Sequence, residues 1–162
     1  MSPHLSQVLA GLHELRATSV IELDFNPGVE RNAVAEEQCP DCIVDHDTIK
    51  TTYVALVKRH LIGIATAGLH GSIGWKLPEY IAASRCVVSQ PLNERSCGLV
   101  KGKHYLPFET ADECAIACER LLDDSTLAQT MRRHNEQYYR TELEPPVMML
   151  KRLRLAMTNN RP

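Results

Sequence analysis

Two short apolar stretches decide the fold, and they read Leu61-Ile-Gly-Ile-Ala-Thr-Ala67 and Cys86-Val-Val-Ser89. Each stretch is too short for a helix and is typical of a strand that is buried on both faces. A glycine-rich segment and a short helix, predicted from about Trp75 to Ser84, connect them. Buried strands that alternate with helices imply parallel pairing through crossovers. The sequence therefore predicts an α/β fold with a Rossmann-like, three-layer parallel sheet.

The pattern continues downstream with one more strand and three helices. Tyr105-Leu106 is predicted as a minimal strand, and the offset of Thr110 from Glu113 predicts a capping box that opens a helix. The next helix is predicted from about Thr126 to Arg140, and Pro145-Pro146 begin the last one. Apolar spacing predicts the residues that face inward on the first two of these helices: Cys114, Ala117, Cys118, Leu121, Leu127, Met131, His134 and Tyr138.

Upstream of residue 61 the pattern predicts a helix over Ser6–Arg16 and a strand over Val20–Phe25. A polar and acidic loop follows over residues 29–47. Asp47 can then cap a helix, whose predicted inward residues are Ile49, Tyr53, Leu56 and Val57.

The composition limits the class of protein. The chain has 162 residues, 44% of them hydrophobic, which suits one globular domain and argues against a disordered chain. It has no apolar run of the length that spans a bilayer. Met1–Arg16 does not resemble a signal peptide, so we expect a cytoplasmic protein with reduced thiols.

Charge is distributed unevenly along the chain. Residues 1–47 contain nine acidic and two basic side chains, whereas residues 131–162 contain seven basic and three acidic ones. The basic end suits either an inner membrane surface or a nucleic acid. We interpret it as a solvated helix face and expect no nucleic-acid partner, because its only aromatic residues are Tyr138 and Tyr139.

The segment between the two buried strands carries the candidate ligand site. In open α/β sheets, ligands bind beyond the carboxyl ends of the strands. The first turn of the following helix favours a diphosphate, and Lys76 adds a positive charge. Glu79 can accept hydrogen bonds from ribose hydroxyls. The alternative is that the glycine-rich segment is only a tight connection between strand and helix and binds no ligand. Three glycines let the backbone approach a ligand closely: Gly68, Gly71 and Gly74.

This region resembles a known family. Residues 68–92 read Gly68-Leu-His-Gly-Ser-Ile-Gly-Trp-Lys-Leu-Pro-Glu-Tyr-Ile-Ala-Ala-Ser-Arg-Cys-Val-Val-Ser-Gln-Pro-Leu92. They look like the nucleotide-sugar-binding half of GT-B-fold glycosyltransferases, and most closely like bacterial group 1-like transferases. Residues 101–108 and 131–139 resemble the GxNYLxF and MxxNxxYY segments of that family. The resemblance extends from about Asp47 to Leu153.

The resemblance implies binding of a nucleoside diphosphate sugar and transfer of its sugar to a glycan or another acceptor, without a metal or other cofactor. Glu79 matches the second glutamate of the family's Glu-x7-Glu pattern, which binds the ribose. Gly71 stands where the first glutamate is expected, so His70 or Ser72 is expected to contact the donor instead. The resemblance assigns no catalytic residue in this chain.

The resemblance also implies how the chain is organised. Residues 47–157 correspond to the nucleotide-sugar-binding domain, residues 1–46 are a poorly matched part of the same domain, and residues 158–162 are a tail. GT-B enzymes have two Rossmann-like domains, so we expect a fragment or truncated form that lacks an N-terminal acceptor domain or needs a homodimer partner. The alternative is a non-catalytic nucleotide-binding or protein-interaction domain that retains the fold.

Two further features have competing interpretations. Cys39 and Cys42 have the spacing of a redox dithiol, and with His46 they offer three zinc ligands. We interpret them as ordinary loop thiols, because a fourth ligand and the strand-to-helix setting of a redox motif are both missing. Trp75 is predicted to be a packing anchor rather than a platform for base stacking, because of the area it can bury.

Overall fold

A computed structural model of the chain describes residues 33–38, 40, 43, 50–66, 73–92 and 98–159. The predicted helix over Ser6–Arg16, the predicted strand over Val20–Phe25 and the predicted cap at Asp47 lie outside these residues. So do Cys39, Cys42 and His46.

From residue 50 onward the described elements follow the predicted order, but Ala33–Gln38 forms a helix, so the prediction of a loop over residues 29–47 is wrong there. Two helices, α1 (Ala33–Gln38) and α2 (Lys50–Arg59), precede the first strand. Strand β1, helix α3, strand β2 and strand β3 follow, and then three helices that include one π-helical turn. Their bounds are β1 Ile62–Ala65, α3 Lys76–Ala82, β2 Cys86–Ser89, β3 Leu106–Pro107, α4 Ala111–Asp123, α5 Ser125–Tyr138, the π segment Tyr139–Leu143 and α6 Pro145–Asn159.

The three strands form a parallel sheet in the order β1-β2-β3. Gly63 pairs with Val87, and Val88 pairs with Leu106. The prediction of a parallel sheet is therefore confirmed. The last strand begins one residue later than predicted, and Tyr105 forms an isolated bridge with Lys101 instead.

The sheet is covered on both faces, which produces three layers. One core cluster joins Val88 and Leu106 to α4 and to the first half of α5. The other cluster joins Val87 and Tyr105 to α3 and to the end of α5. All of β2 is buried, whereas Ile62 and Ile64 of β1 are only half-buried. The prediction of a strand buried on both faces is thus confirmed for β2 and only partly for β1, which lies at one side of the three strands.

Helices α4 and α5 start and pack largely as predicted, whereas the predicted inward residues of α2 are only half-buried: Tyr53, Leu56 and Val57. Thr110 caps α4 by accepting a hydrogen bond from the Glu113 N–H at 3.2 Å, and the Glu113 carboxylate accepts one from the Glu109 N–H at 2.7 Å. The four predicted inward residues of α4 are all buried. On α5, Met131 and Tyr138 are buried as predicted, but Leu127 and His134 are only half-buried. Ala128 and Asn135 take the remaining buried positions.

Among the described residues, no helix has the length and apolar character needed to cross a bilayer.

Candidate functional site

The start of α3 lies beside the carboxyl end of β1. A Cβ atom built on Gly74 would be 3.4 Å from the Thr66 carbonyl oxygen, which immediately follows that strand. The chain therefore returns to the edge of the sheet where α/β proteins bind ligands. Of the predicted ligand-binding residues, Gly74, Lys76 and Glu79 lie within the described part of the chain. Four others lie outside it: Gly68, His70, Gly71 and Ser72.

Trp75 is exposed to solvent, so the prediction that it anchors the packing of the helix is wrong. Its side chain is 87% exposed, and that of the neighbouring Ile73 is 42% exposed. The inward positions of α3 are filled by Leu77 and Ile81, one turn apart. Trp75 lies two residues before Leu77 and therefore points away from the sheet. An indole left in water at the edge of a sheet is available for contact with a ligand or a partner.

Glu79 has a partner within the chain. Its carboxylate forms an ion pair with the Lys50 ammonium of α2, and both side chains remain partly exposed. The Lys50 nitrogen also lies 5.1 Å from the centroid of the Tyr53 ring. Lys50 therefore gives this carboxylate a partner of opposite charge without a ligand. The ion pair leaves the carboxylate partly accessible, so the predicted ribose contact remains a prediction.

Two tyrosines, Tyr53 and Tyr80, lie close to the Glu79 carboxylate. The Tyr53 hydroxyl is buried and lies near Glu79 and Tyr80 without a hydrogen bond of good geometry to a described residue. Burial, followed by the charges of Tyr80 and Glu79, holds the pKa of Tyr53 well above its ordinary value. Burial also raises the pKa of Tyr80. Both phenols are therefore neutral near pH 7 and are unsuited to act as bases there.

Trp75, Lys76 and Glu79 lie close together at the N-cap and in the first turn of α3. Trp75 and Glu79 are four residues apart, so they occupy the same face of the helix on successive turns. Lys76 is exposed, and the structure shows no ion pair for it within the described ranges. The edge of the sheet thus presents an exposed aromatic ring, a cation and a carboxylate within about one helical turn.

A cleft that the sequence did not predict lies near the amino end of β3, and we call it the histidine cleft after His104 and His134. It has a volume of about 490 Å³ and lies between the turn before β3 and the end of α5 with the π segment. His104 precedes β3, and its backbone carbonyl accepts a hydrogen bond from Asn135 of α5. The residues that line the cleft are Gly98, Val100, Lys103, His104, His134, Gln137, Tyr138, Thr141 and Glu142.

Two histidines give this cleft its chemistry. The Val100 N–H donates to His104 Nδ1 at 2.9 Å, so the neutral His104 ring carries its proton on Nε2. Burial, then Lys103 and His134, lower the pKa of His104, which keeps it neutral near pH 7. The His134 ring lies edge-on to His104, with 6.2 Å between the centroids. His134 Nδ1 is buried without a hydrogen-bond partner among the described residues.

A π-helical turn borders the same cleft. The Glu144 N–H donates to the Tyr139 carbonyl at 2.8 Å, five residues back, and Thr141 and Glu142 of this turn line the cleft. Such turns occur often at functional sites. The sequence carried little sign of this cleft, because its two histidines are 30 residues apart and His134 has the spacing of a packing residue.

The described cysteines are free and buried, as expected for reduced thiols: Cys86, Cys114 and Cys118. Burial raises the pKa of Cys86 to about 11. A hydrogen bond with Cys114 and burial raise the pKa of Cys118 well above its ordinary value. These two thiols stay protonated near pH 7 and are unsuited to nucleophilic catalysis. Within the described ranges, no three His, Cys, Asp or Glu side chains are arranged to hold a metal ion.

The fold and the carboxyl-edge residues define the class of this protein as an α/β protein with a parallel sheet and an accessible edge. Comparison with models of protein families, with curated proteins and with solved structures gave no match to this chain.

Proposed function

We propose that the chain is a glycosyltransferase-like domain that binds a nucleoside diphosphate sugar at the carboxyl end of β1. The observation that carries this proposal is the exposed Trp75 ring at the N-cap of α3, one turn before Glu79. The resemblance of residues 68–92 to nucleotide-sugar-binding domains supports the same assignment.

Each residue at this edge has a role in the proposal. The base of the nucleotide stacks on Trp75, because an exposed indole offers a large flat apolar surface. Lys76 pairs with the diphosphate. Glu79 accepts hydrogen bonds from the ribose hydroxyls, and the Lys50 ammonium lies beside its carboxylate. The nucleoside diphosphate would then leave from a site that stabilises its charge when the sugar is transferred.

Fluorescence tests this proposal directly, because Trp75 is the single tryptophan of the chain. We expect one of UDP, GDP or ADP, or its sugar conjugate, to change the emission of the purified protein in a saturable way. The same ligand should raise the melting temperature, since a ligand that binds only the folded state stabilises it. If none of these ligands changes emission or melting, the proposal is wrong.

Two variants distinguish the role of the Glu79 carboxylate from that of its ion pair with Lys50. Glu79→Gln should weaken nucleotide binding about tenfold, because it replaces an ionised acceptor with a neutral amide. Lys50→Met also removes the ion pair but leaves the carboxylate, so it should change the affinity much less. Equal losses in the two variants would show that Glu79 acts only through the ion pair.

The second candidate function is a protein-interaction domain that retains the fold. The Lys50–Glu79 ion pair favours it, because it gives the carboxylate a structural role without a ligand. In this case Trp75 and Ile73 form the centre of a protein contact, as exposed aromatic residues often do. A melting temperature that responds to no nucleotide, from a protein that unfolds cooperatively, would favour this candidate.

A further inference from the structure

The last helix, α6, exposes an apolar stripe along its length. The stripe residues are spaced at intervals of one, three or four positions, which places them on one face of a helix. None of them is buried, although all are methionine or leucine. They are Met149 (65% exposed), Leu150 (54%), Leu153 (54%) and Met157 (73%).

Positive charge borders this stripe on both sides. On a helical projection, Arg152 and Arg154 fall at opposite edges of the stripe, and neither forms an ion pair within residues 98–159. Lys151 is more distant and is paired with Glu142. Residues 145–162 contain no Asp or Glu, so the stripe and its borders form a cationic amphipathic surface.

The attachment of α6 leaves this surface accessible. The helix packs against the π segment near its start, where Val147 is half-buried. From Met148 to Thr158 every residue is exposed. The 15-residue helix is about 22 Å long, and it lacks the length and apolar character to cross a bilayer. Its dimensions fit a helix that lies in the plane of an interface.

We propose that α6 binds the surface of a bilayer that contains anionic phospholipids. Leucine and methionine side chains enter the boundary between headgroups and acyl chains, while the two arginines bind lipid phosphates. Charge complementarity selects this occupant over a second copy docked through the same surface, because two such surfaces would bring like charges together. A nucleic acid would leave the apolar stripe in water and would find no aromatic residue for base stacking over residues 145–162.

The test measures co-sedimentation of the full chain with two kinds of vesicle. One kind contains phosphatidylcholine alone, and the other is an equimolar mixture of phosphatidylcholine and phosphatidylglycerol. We expect binding to the mixed vesicles, and at least about tenfold weaker binding to the neutral ones. Binding to the mixed vesicles should weaken as salt is raised, since salt screens the attraction.

Two matched variants test which face of α6 is used. Leu153→Ser removes an apolar side chain from the stripe, and Leu155→Ser removes one of nearly equal exposure from the opposite side, 54% against 56%. We expect Leu153→Ser to weaken vesicle binding about tenfold and Leu155→Ser to leave it nearly unchanged. The double variant Arg152→Gln with Arg154→Gln should reduce the preference for anionic vesicles.

Several outcomes would overturn this proposal. They are equal binding to both vesicles, binding to neither, and equal losses in the two leucine variants. Self-association that Leu153→Ser abolishes, without vesicle binding, would assign the surface to a second copy of the chain. The control is the melting temperature of the two leucine variants. Equal values would show that both are folded, so that a difference in vesicle binding reflects the helix face and not a loss of fold.

Discussion

At the scale of single residues, Gly63 of β1 has no space for a side chain. A Cβ atom built on Gly63 would lie 2.4 Å from both Cγ and Cδ2 of the Tyr80 ring. The absence of a side chain at Gly63 therefore allows that ring to lie directly against the strand. The contact also holds α3 at its distance from the sheet, which positions Trp75 and Glu79 at the carboxyl edge.

We expect Gly63→Ala to lower the free energy of unfolding by about 1–3 kcal/mol, because the new methyl group overpacks the contact with Tyr80. The Cγ atom of Tyr80 is only two bonds from the backbone of α3, so the ring cannot move aside unless that helix moves too. Urea unfolding at neutral pH measures the change.

The control for this prediction is Gly74→Ala. Its Cβ atom would meet only the Thr66 carbonyl oxygen among the described atoms, at an ordinary 3.4 Å. This variant should change stability by less than about 0.5 kcal/mol. Similar losses in the two variants would contradict the role given to the Tyr80 contact.

At the scale of elements, Asn135 connects α5 to the starts of two strands. Its side chain is fully buried, and its amide nitrogen donates to the Arg85 carbonyl at 2.8 Å and to the His104 carbonyl at 3.0 Å. Arg85 precedes β2 and His104 lies before β3. One side chain thus sets the position of the helix against the sheet, and with it the shape of the histidine cleft.

We expect Asn135→Ala to lower the free energy of unfolding by about 2–4 kcal/mol, because two carbonyls lose their donor and a cavity is left. Gln137→Ala, two residues later and exposed, is the matched control and should cost less than about 0.5 kcal/mol. Urea unfolding measures both variants. A cost for Asn135→Ala no larger than that of the control would show that these hydrogen bonds do not stabilise the fold.

The elements that the sequence predicted best are those with local chemical signals. Strand β2 was predicted residue for residue, because four apolar or small residues lie between polar flanks. The start of α4 was predicted from Thr110 and Glu113, which form their hydrogen bonds within one turn. Such signals need no knowledge of the rest of the fold.

The features that the sequence did not predict depend on contacts between residues that are far apart in the chain. Trp75 is exposed because Leu77 and Ile81 occupy the inward positions of α3. The partner of Glu79 is Lys50, 29 residues earlier. The histidine cleft forms only when the turn before β3 meets α5. The periodic spacing of apolar residues identifies a helix, but it does not identify which neighbouring element covers each face of that helix.

At the scale of the whole molecule, the histidine cleft makes stability depend on pH. Burial, then Lys103 and His134, keep the pKa of His104 below its ordinary value of 6.5 in the folded protein. The unfolded chain therefore binds a proton at this histidine at a higher pH than the folded protein does. The resulting stability is present above about pH 6.5 and is lost as the pH falls through the pKa that His104 has in the folded protein.

We expect the free energy of unfolding to decrease between about pH 7.5 and about pH 5, and His104→Asn to reduce this decrease. Asparagine can still accept a hydrogen bond from the Val100 N–H, but it does not titrate. Lys103→Met should have a smaller effect in the same direction, because it removes one of the charges that lower the His104 pKa. Urea unfolding at the two pH values measures each variant.

Lys101→Met controls for the loss of a positive charge from the same turn. Lys101 is exposed and is not among the groups that shift the His104 pKa, so this variant should keep the pH dependence of the wild type. If His104→Asn also keeps the pH dependence of the wild type, the group that binds the proton lies elsewhere. The histidine cleft then does not control the pH dependence of stability. If Lys101→Met and Lys103→Met act equally, the effect comes from net charge rather than from the position of Lys103 beside the imidazole.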